Sequence, residues 1–451
     1  SGAAGSGTTV HTIDQSIRFN PADSAYMSRT PSGSSSSRKK WTFSGWFKRG
    51  NITPSSSSRF FNVHSDSNNF FISQFQSDDS FNVTAREGGS EVLKFEPARR
   101  FRDPSAWYHV VMAFDSTNSI GSERFRVYFN GVRDTTALET TPSADLELVV
   151  LENCLHQIGR DTYSGSTFLF DGYMADLVLL DGTSTDCSSF GEFNSSGIWI
   201  PKSVSGLTFG TNGFHIDGRD SSDLGDDESG QGNDFTTSGL AAHDQMADSP
   251  TNNFATINPL DWVIRNAANS VPLTEGNLKF TGSDSVGVYG TYNATIEVPN
   301  SGGWYFEMRA TAIGSAEKQS QYIYAGGIGF LSNGNSSVGS YGSAWSAGDI
   351  IGVAVNTSGV WFSINGTWQN SGNPATGSNS AGSSSLPAMI LTGDGSATTN
   401  SSLTGVLNFG QDSTFAGATS AGGNSDASGI GNFKYSVPSG FKALCTKNLG
   451  S

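Results

Sequence analysis

The carboxylates are the residues of this chain best placed to do chemistry, and their spacing decides what they can do. Retaining glycoside hydrolysis needs two carboxyl groups about 5 Å apart, and the two-residue period of a strand puts positions i and i+2 on one face. Glu307 lies in the strand-like run Gly303 to Arg309, but Arg309 stands where a second carboxylate would be needed. A lone glutamate there is expected to be solvent-facing or salt-bridged, because glutamate is rarely buried. Asp220, Asp223, Asp226 and Asp227 fall in a Gly-rich acidic stretch and could offer hard oxygen ligands to calcium. Their spacing does not fit the Asp-x-Asp-x-Asp-Gly loop of an EF-hand, and the same run also reads as a solvated acidic turn held by Asx and Ser caps. Calcium is therefore an option, and no cofactor is required.

His11, His64, His109, His156, His215 and His243 show neither His-x-x-x-His nor His-Glu-x-x-His spacing, so a zinc hydrolase is not indicated. A Gly-x-Ser-x-Gly string carries little meaning in Ser/Gly-rich loops unless a strand-to-helix elbow surrounds it. Cys154, Cys187 and Cys445 are far apart and odd in number, which argues for free thiols rather than a disulfide framework or a Cys-x-x-Cys site. Recognition of a sugar would use exposed aromatics beside Asn, Asp and Gly. Tyr163, Tyr341, Trp345 and Trp368 lie in loop-like surroundings and are the candidates, with core packing the competing role for any aromatic in a β protein.

These residues must be positioned by strands, because helical periodicity is almost absent. Ser16 to Phe19, Trp41 to Phe47, Phe70 to Ser73, Trp107 to Phe114, Phe125 to Phe129 and Phe170 to Gly182 are short apolar runs bounded by turn residues. Asn130-Gly131 and Asn365-Gly366 each sit between two such runs and predict two-residue hairpins, since Asn and Gly accept the positive φ of a type I′ turn. The expected fold is all-β, two antiparallel β-sandwich domains in tandem. The division is a flexible leader at 1–12, a sandwich at 13–200, an irregular acidic connector at 201–260 and a second sandwich at 261–451. At 451 residues the chain is long enough for both cores. Only 15% of residues are charged while 55 are glycine, so the surface is largely neutral and polar. The net charge of −15 and the lack of a basic stripe argue against nucleic acid. No apolar run approaches the roughly 18 residues a bilayer span needs, so membrane insertion is not expected.

Over 13–200, the tryptophans of Trp41 to Trp46, the Trp107-Tyr108-His109-Val110 strand, the Tyr128-Phe129-Asn130-Gly131 hairpin and Gly172 to Asp176 resemble the laminin-G-like, concanavalin-A-like jelly-roll superfamily. That superfamily includes glucanases, whose Glu-x-Asp-x-x-Glu strand is absent here; a glycoside hydrolase would need carboxylates converging from separate strands. In the second half, Gly303 to Arg309, Tyr324 to Phe330, Asp349 to Asn356 with Val360 to Asn365, Pro387 to Ile390 and Leu407 to Gln411 resemble, in order, the strands of a SPRY (B30.2-like) domain. The resemblance implies a binding module whose partners meet its end loops, which is why Tyr341 and Trp345 stand out.

The combination, together with Ile13 to Asn20, Asp248 to Phe254 and Gly440 to Leu449, is similar to virion proteins of tailed bacteriophages. This resemblance implies a non-enzymatic tail fibre or capsid appendage on the virion exterior that binds host-surface glycans. It also implies a homotrimer, anchored to other virion proteins through residues 1–12. A capsid decoration protein without receptor binding, and a secreted bacterial adhesin or polysaccharide depolymerase, are the alternatives.

Overall fold

Both Asn-Gly pairs form the turns their chemistry calls for. The computed structural model describes residues 10–162, 167–265, 273–281, 289–314, 321–388, 391–394 and 403–450. Asn130 and Gly131 have φ of 47° and 80°, and Asn365 and Gly366 have φ of 48° and 80°. Phe129 consequently faces Val132, and Ile364 faces Thr367. Each asparagine also locks its hairpin onto the neighbouring strand. Asn130 donates its N–H to the His109 carbonyl at 2.9 Å, and its Oδ1 accepts the His109 N–H at 2.7 Å. Asn365 does the same with Ile350, at 2.8 and 2.9 Å.

Each hairpin ends a sheet of the same design. In the first sandwich the order from the hairpin edge is Val132–Asp134, Phe125–Phe129, Trp107–Asp115, Lys40–Arg49, Gly172–Asp181, Ser16–Phe19 and Gln245–Met246. In the second it is Thr367–Trp368, Gly359–Ile364, Ile350–Asn356, Gly303–Ile313, Leu403–Asn408 and Lys279–Phe280. Taken by chain position, the first six strands of each follow one path. The opposing sheets agree as well. One runs Ser90–Phe95, Phe81–Glu87, Phe70–Phe75, Ser58–His64, Leu155–Ile158 and Tyr26–Arg29; the other runs Gly339–Ser340, Asn335–Ser336, Ile328–Leu331, Gln321–Ala325, Leu391–Asp394 and Tyr289–Ala294. The chain thus traces one antiparallel sandwich topology twice.

The acidic connector, though mostly without regular structure, is ordered and closes the first sandwich. Phe214–Ile216 pairs with Gly172–Asp181, Thr236–Ser238 with Tyr26–Arg29, and Gln245–Met246 with Ser16–Phe19.

Alternation along Lys40–Arg49 points Trp41, Phe43 and Phe47 into a core with Phe60, Phe61, Phe71 and Phe75. The other face of this sheet is also covered. At one end Val111, Tyr128, Val178 and Leu180 lie under Cys187, Phe190, Val204 and Phe209. At the other end Trp46, Trp107, Tyr173 and Ala175 join a core that continues into the second sandwich through Ala255, Ile257 and Leu278.

Two buried cations fix that junction. The Lys48 ammonium, 1% exposed, meets the Asp248 carboxylate at 2.6 Å, Asn253 Oδ1 at 2.7 Å and the Phe254 carbonyl at 3.1 Å. Trp107 Nε1 donates to the other Asp248 oxygen at 3.2 Å. Arg18, fully buried, is ringed by Asp244 at 3.0 Å, Glu275 at 3.4 Å and Asp412 at 3.4 Å, drawn from the connector and the second sandwich. Tyr173 Oη donates to the Gly276 carbonyl, and Asn277 Nδ2 to the Gly50 carbonyl. Removing one partner of a buried pair leaves an uncompensated charge, so Asp248→Ala should lower unfolding free energy by about 3–5 kcal/mol. Urea titration checks this: Lys48→Met with Asp248→Leu should lose clearly less than the single change, and an equal loss would contradict the assignment.

Candidate functional site

A polar cleft of about 500 Å³ opens on the first sandwich between two loops, Ser32 to Arg38 and Glu147 to Asn153. The first loop contains a run of serines with no apolar residue to draw it inward, so its backbone is held from beneath by a carboxylate. Asp181 accepts the N–H groups of Ser36 at 2.8 Å, Ser37 at 3.1 Å and Asn212 at 3.0 Å. Asn212 Nδ2 in turn donates to the Gly33 carbonyl at 2.9 Å. The hydroxyls of Ser32, Ser34 and Ser35 line the cleft and have no intramolecular partner among the described residues.

The second loop is anchored by its apolar run. Leu148, Val149, Val150 and Leu151 are buried, and Leu151 holds a left-handed φ of 72° that a leucine adopts only under constraint. His156 supplies part of that constraint, its Nε2 accepting the Leu151 N–H at 3.0 Å while Nδ1 pairs with the Cys154 carbonyl at 2.9 Å. This pattern requires a neutral ring with its proton on Nδ1. Burial pushes the His156 pKa down to about 4. Arg38 crosses between the loops, with Nε on the Leu148 carbonyl at 2.8 Å, Nη2 on Glu152 at 3.2 Å and Nη1 3.8 Å from Glu147. Hydroxyls, carboxylates and the Asn153 amide give the cleft both donors and acceptors of hydrogen bonds. Its volume lies within the range of small-molecule sites.

Of the aromatics singled out from sequence, those among the described residues are not gathered in such a site. Trp345 is 0% exposed and Tyr341 7% exposed; both pack on Phe330, and Tyr341 Oη accepts the Phe362 N–H at 3.3 Å. The expectation that they are surface residues is corrected, because the loop bearing them folds over the end of the sandwich and their rings seal its core. Trp368 is half-buried against Tyr305. Tyr163 lies outside the described residues.

The acidic run is engaged in its own turns. Asp220 accepts from the N–H and hydroxyl of Ser222, Asp223 from the Gly225 N–H, and Asp227 from the backbone of His215, Ser229 and Asn233. Asp226 is pushed up by desolvation and by Asp234, Asp223 and Asp220. Among the described residues, no three His, Cys, Asp or Glu side chains converge as a metal site would.

Glu307 is neither solvent-facing nor salt-bridged. It is buried and accepts from the Lys434 and Tyr435 N–H groups, Tyr305 Oη and Asn408 Nδ2, with burial pushing its pKa up. Four donors replace the water it lost, an arrangement of distant segments that local spacing does not reveal.

A Ser-His pair missed in the sequence lies on the covered face of the first sandwich. His109 Nε2 is 2.9 Å from Ser44 Oγ, and Trp199 Nε1 donates to His109 Nδ1 at 3.0 Å. The indole therefore leaves the proton on Nε2, which donates to Ser44 and cannot take a proton from it. The ring stacks on Trp46 at 4.5 Å, and full burial holds it neutral, with its pKa pushed down to about 3.

Residues 22–187 match the Laminin_G_3 family model, described as the concanavalin A-like lectin/glucanases superfamily. The cleft's first and second loops both fall within this match. Among solved structures, a native heptameric SAP-like pentraxin from Limulus polyphemus is similar at 17% identity and a TM-score of 0.27, covering 39% of this chain and 80% of its own. A candidate carbohydrate-binding protein from Bacteroides ovatus is similar at 14% identity and a TM-score of 0.36, covering 50% of this chain and 58% of its own. Domains LG4-5 of the mouse laminin alpha1 chain are similar at 10% identity and a TM-score of 0.30, covering 89% and 90%. No curated protein matches the chain.

The two neutral histidines make stability depend on pH. An ordinary histidine binds a proton below pH 6.5, whereas His156 and His109 stay neutral in the folded chain down to about 4 and about 3. The unfolded chain thus gains protons first, and stability falls as pH drops from 6.5. The loss is about 1.6 kcal/mol per histidine between pH 6.5 and 5. Urea unfolding at those two values should show a shallower slope for His156→Asn than for the natural chain; an unchanged slope would count against a buried neutral His156.

Proposed function

We propose that this protein is a non-catalytic glycan-binding protein of the virion exterior, a tail fibre or appendage of a tailed bacteriophage that attaches to host-surface polysaccharide. The observation that carries the reading is the hydroxyl-lined cleft between Ser32 to Arg38 and Glu147 to Asn153, on the sandwich that matches a lectin-type family. A sugar presents hydroxyls that donate and accept in turn, and the cleft offers groups that do both. Catalysis is not favoured: Glu147 and Glu152 are tied to one guanidinium, and Ser44 faces a histidine that donates to it.

The remainder of the proposal rests on resemblance. The second sandwich is read as SPRY-like, the assembly as a homotrimer, and residues 1–12 as the link to other virion proteins. Among the described residues, no helix is long and apolar enough to cross a membrane.

Incubating the purified protein with host envelope polysaccharide tests the proposal. Retention on the polysaccharide without shortening of its chains is the expected result. Released oligosaccharides would overturn the non-catalytic reading in favour of a depolymerase. Neither retention nor cleavage would favour a decoration protein.

A further inference from the structure

The charges around the cleft restrict which sugar it can take. Proteins hold anionic groups with a guanidinium fork, an ammonium or a nest of free backbone N–H groups. Here the two cations at the cleft are already engaged, and so are two of the loop's backbone N–H groups. Arg38, the cation lining the cleft, has its Nε on the Leu148 carbonyl and its terminal nitrogens on Glu152 and toward Glu147. The neighbouring Lys39 pairs with Asp145 at 3.2 Å. The N–H groups of Ser36 and Ser37 point inward to Asp181 and are closed to a ligand.

The acidic groups are in excess. The Glu147 side chain is 53% exposed at the mouth of the cleft, with Glu152 on the same wall. Glu87, which also interacts with Arg38, has an Oε1 that is buried with no hydrogen-bond partner among the described residues. Desolvation pushes the Glu87 carboxyl up, with Arg38 opposing and Glu152 reinforcing the shift, which places it in the same electrostatic neighbourhood. A sulfate, phosphate, uronate or sialate would meet these carboxylates without a free cation to receive it. A hydroxyl would find the Ser32, Ser34 and Ser35 hydroxyls, and an ammonium would find Glu147.

We propose that the cleft selects sugars without acidic groups and takes an amino sugar bearing a free ammonium most tightly. This rests on the glycan-binding reading of the same cleft and adds the class of ligand. Among the described residues no aromatic ring lines the cleft, so hydrogen bonds and this charge preference are what discriminate.

The test is titration calorimetry of the full chain with three tetrasaccharides: glucosamine, N-acetylglucosamine and galacturonic acid. Glucosamine should bind at least about tenfold more tightly than galacturonate, and its advantage should shrink as salt rises from 0.05 to 0.5 M, roughly the range over which screening of exposed charges takes hold. Glu147→Gln should weaken glucosamine about threefold or more while leaving N-acetylglucosamine within about twofold, in line with one partly exposed charge pair. Ser35→Trp, with folding verified by an unchanged melting temperature, should block the neutral and amino sugars together. Galacturonate binding as tightly as glucosamine would overturn the charge selection and leave the glycan-binding reading standing. Binding that survives Ser35→Trp would place the sugar elsewhere and overturn the inference. No binding by any of the three would remove both.

Discussion

The architecture depends on how one ammonium group is kept out of water. Lys48 projects from the outer face of the central strand of the first sandwich, where a lone cation would be intolerable in an apolar setting. Asp248 neutralises it, and Asn253 and the Phe254 carbonyl complete its shell. Those three partners lie on the segment that leads into the second sandwich, so satisfying the charge dictates where the chain goes next. Arg18 applies the same constraint from the adjacent edge through Asp244, Glu275 and Asp412. Trp46, Trp107 and Tyr173 then pack in the space these charges define. Hydrophobic burial supplies area, and the ion pairs supply registration, because a shifted interface would strand a charge.

The cleft inherits its rigidity from the same sandwich. Asp181 ends the long strand Gly172–Asp181 and turns its carboxylate to three backbone amides, converting a serine-rich loop into a fixed wall. His156 performs the matching task on the other wall by accepting the Leu151 N–H. Neither residue belongs to the lining, and both determine its shape. A surface made of serine hydroxyls keeps one shape only if its backbone is held, and here it is held by one carboxylate and one neutral imidazole.

What was legible in the sequence was what local chemistry controls. Asn130-Gly131 and Asn365-Gly366 announce their turns because two adjacent residues satisfy the φ requirement by themselves. The alternation of Trp41, Phe43 and Phe47 announces a strand for the same reason. Burial of Tyr341 and Trp345 was not legible, because it depends on a loop folding back across Phe330 and Phe362. Nor was the role of Glu307, whose donors Lys434 and Tyr435 come from more than a hundred positions away. The cleft shares this property: Ser35 and Glu147 are brought together only by the sheets between them. The order within the acidic connector was hidden as well, since Phe214–Ile216 and Thr236–Ser238 are too short to stand out from their polar surroundings.

The shared core between the sandwiches has a mechanical consequence. Two domains on a flexible tether would swing independently, and tension on one would first straighten the tether. Here a pull on the loops of the first sandwich passes directly through the strand bearing Lys48 into the second. The pair carries load across the junction itself rather than through a tether.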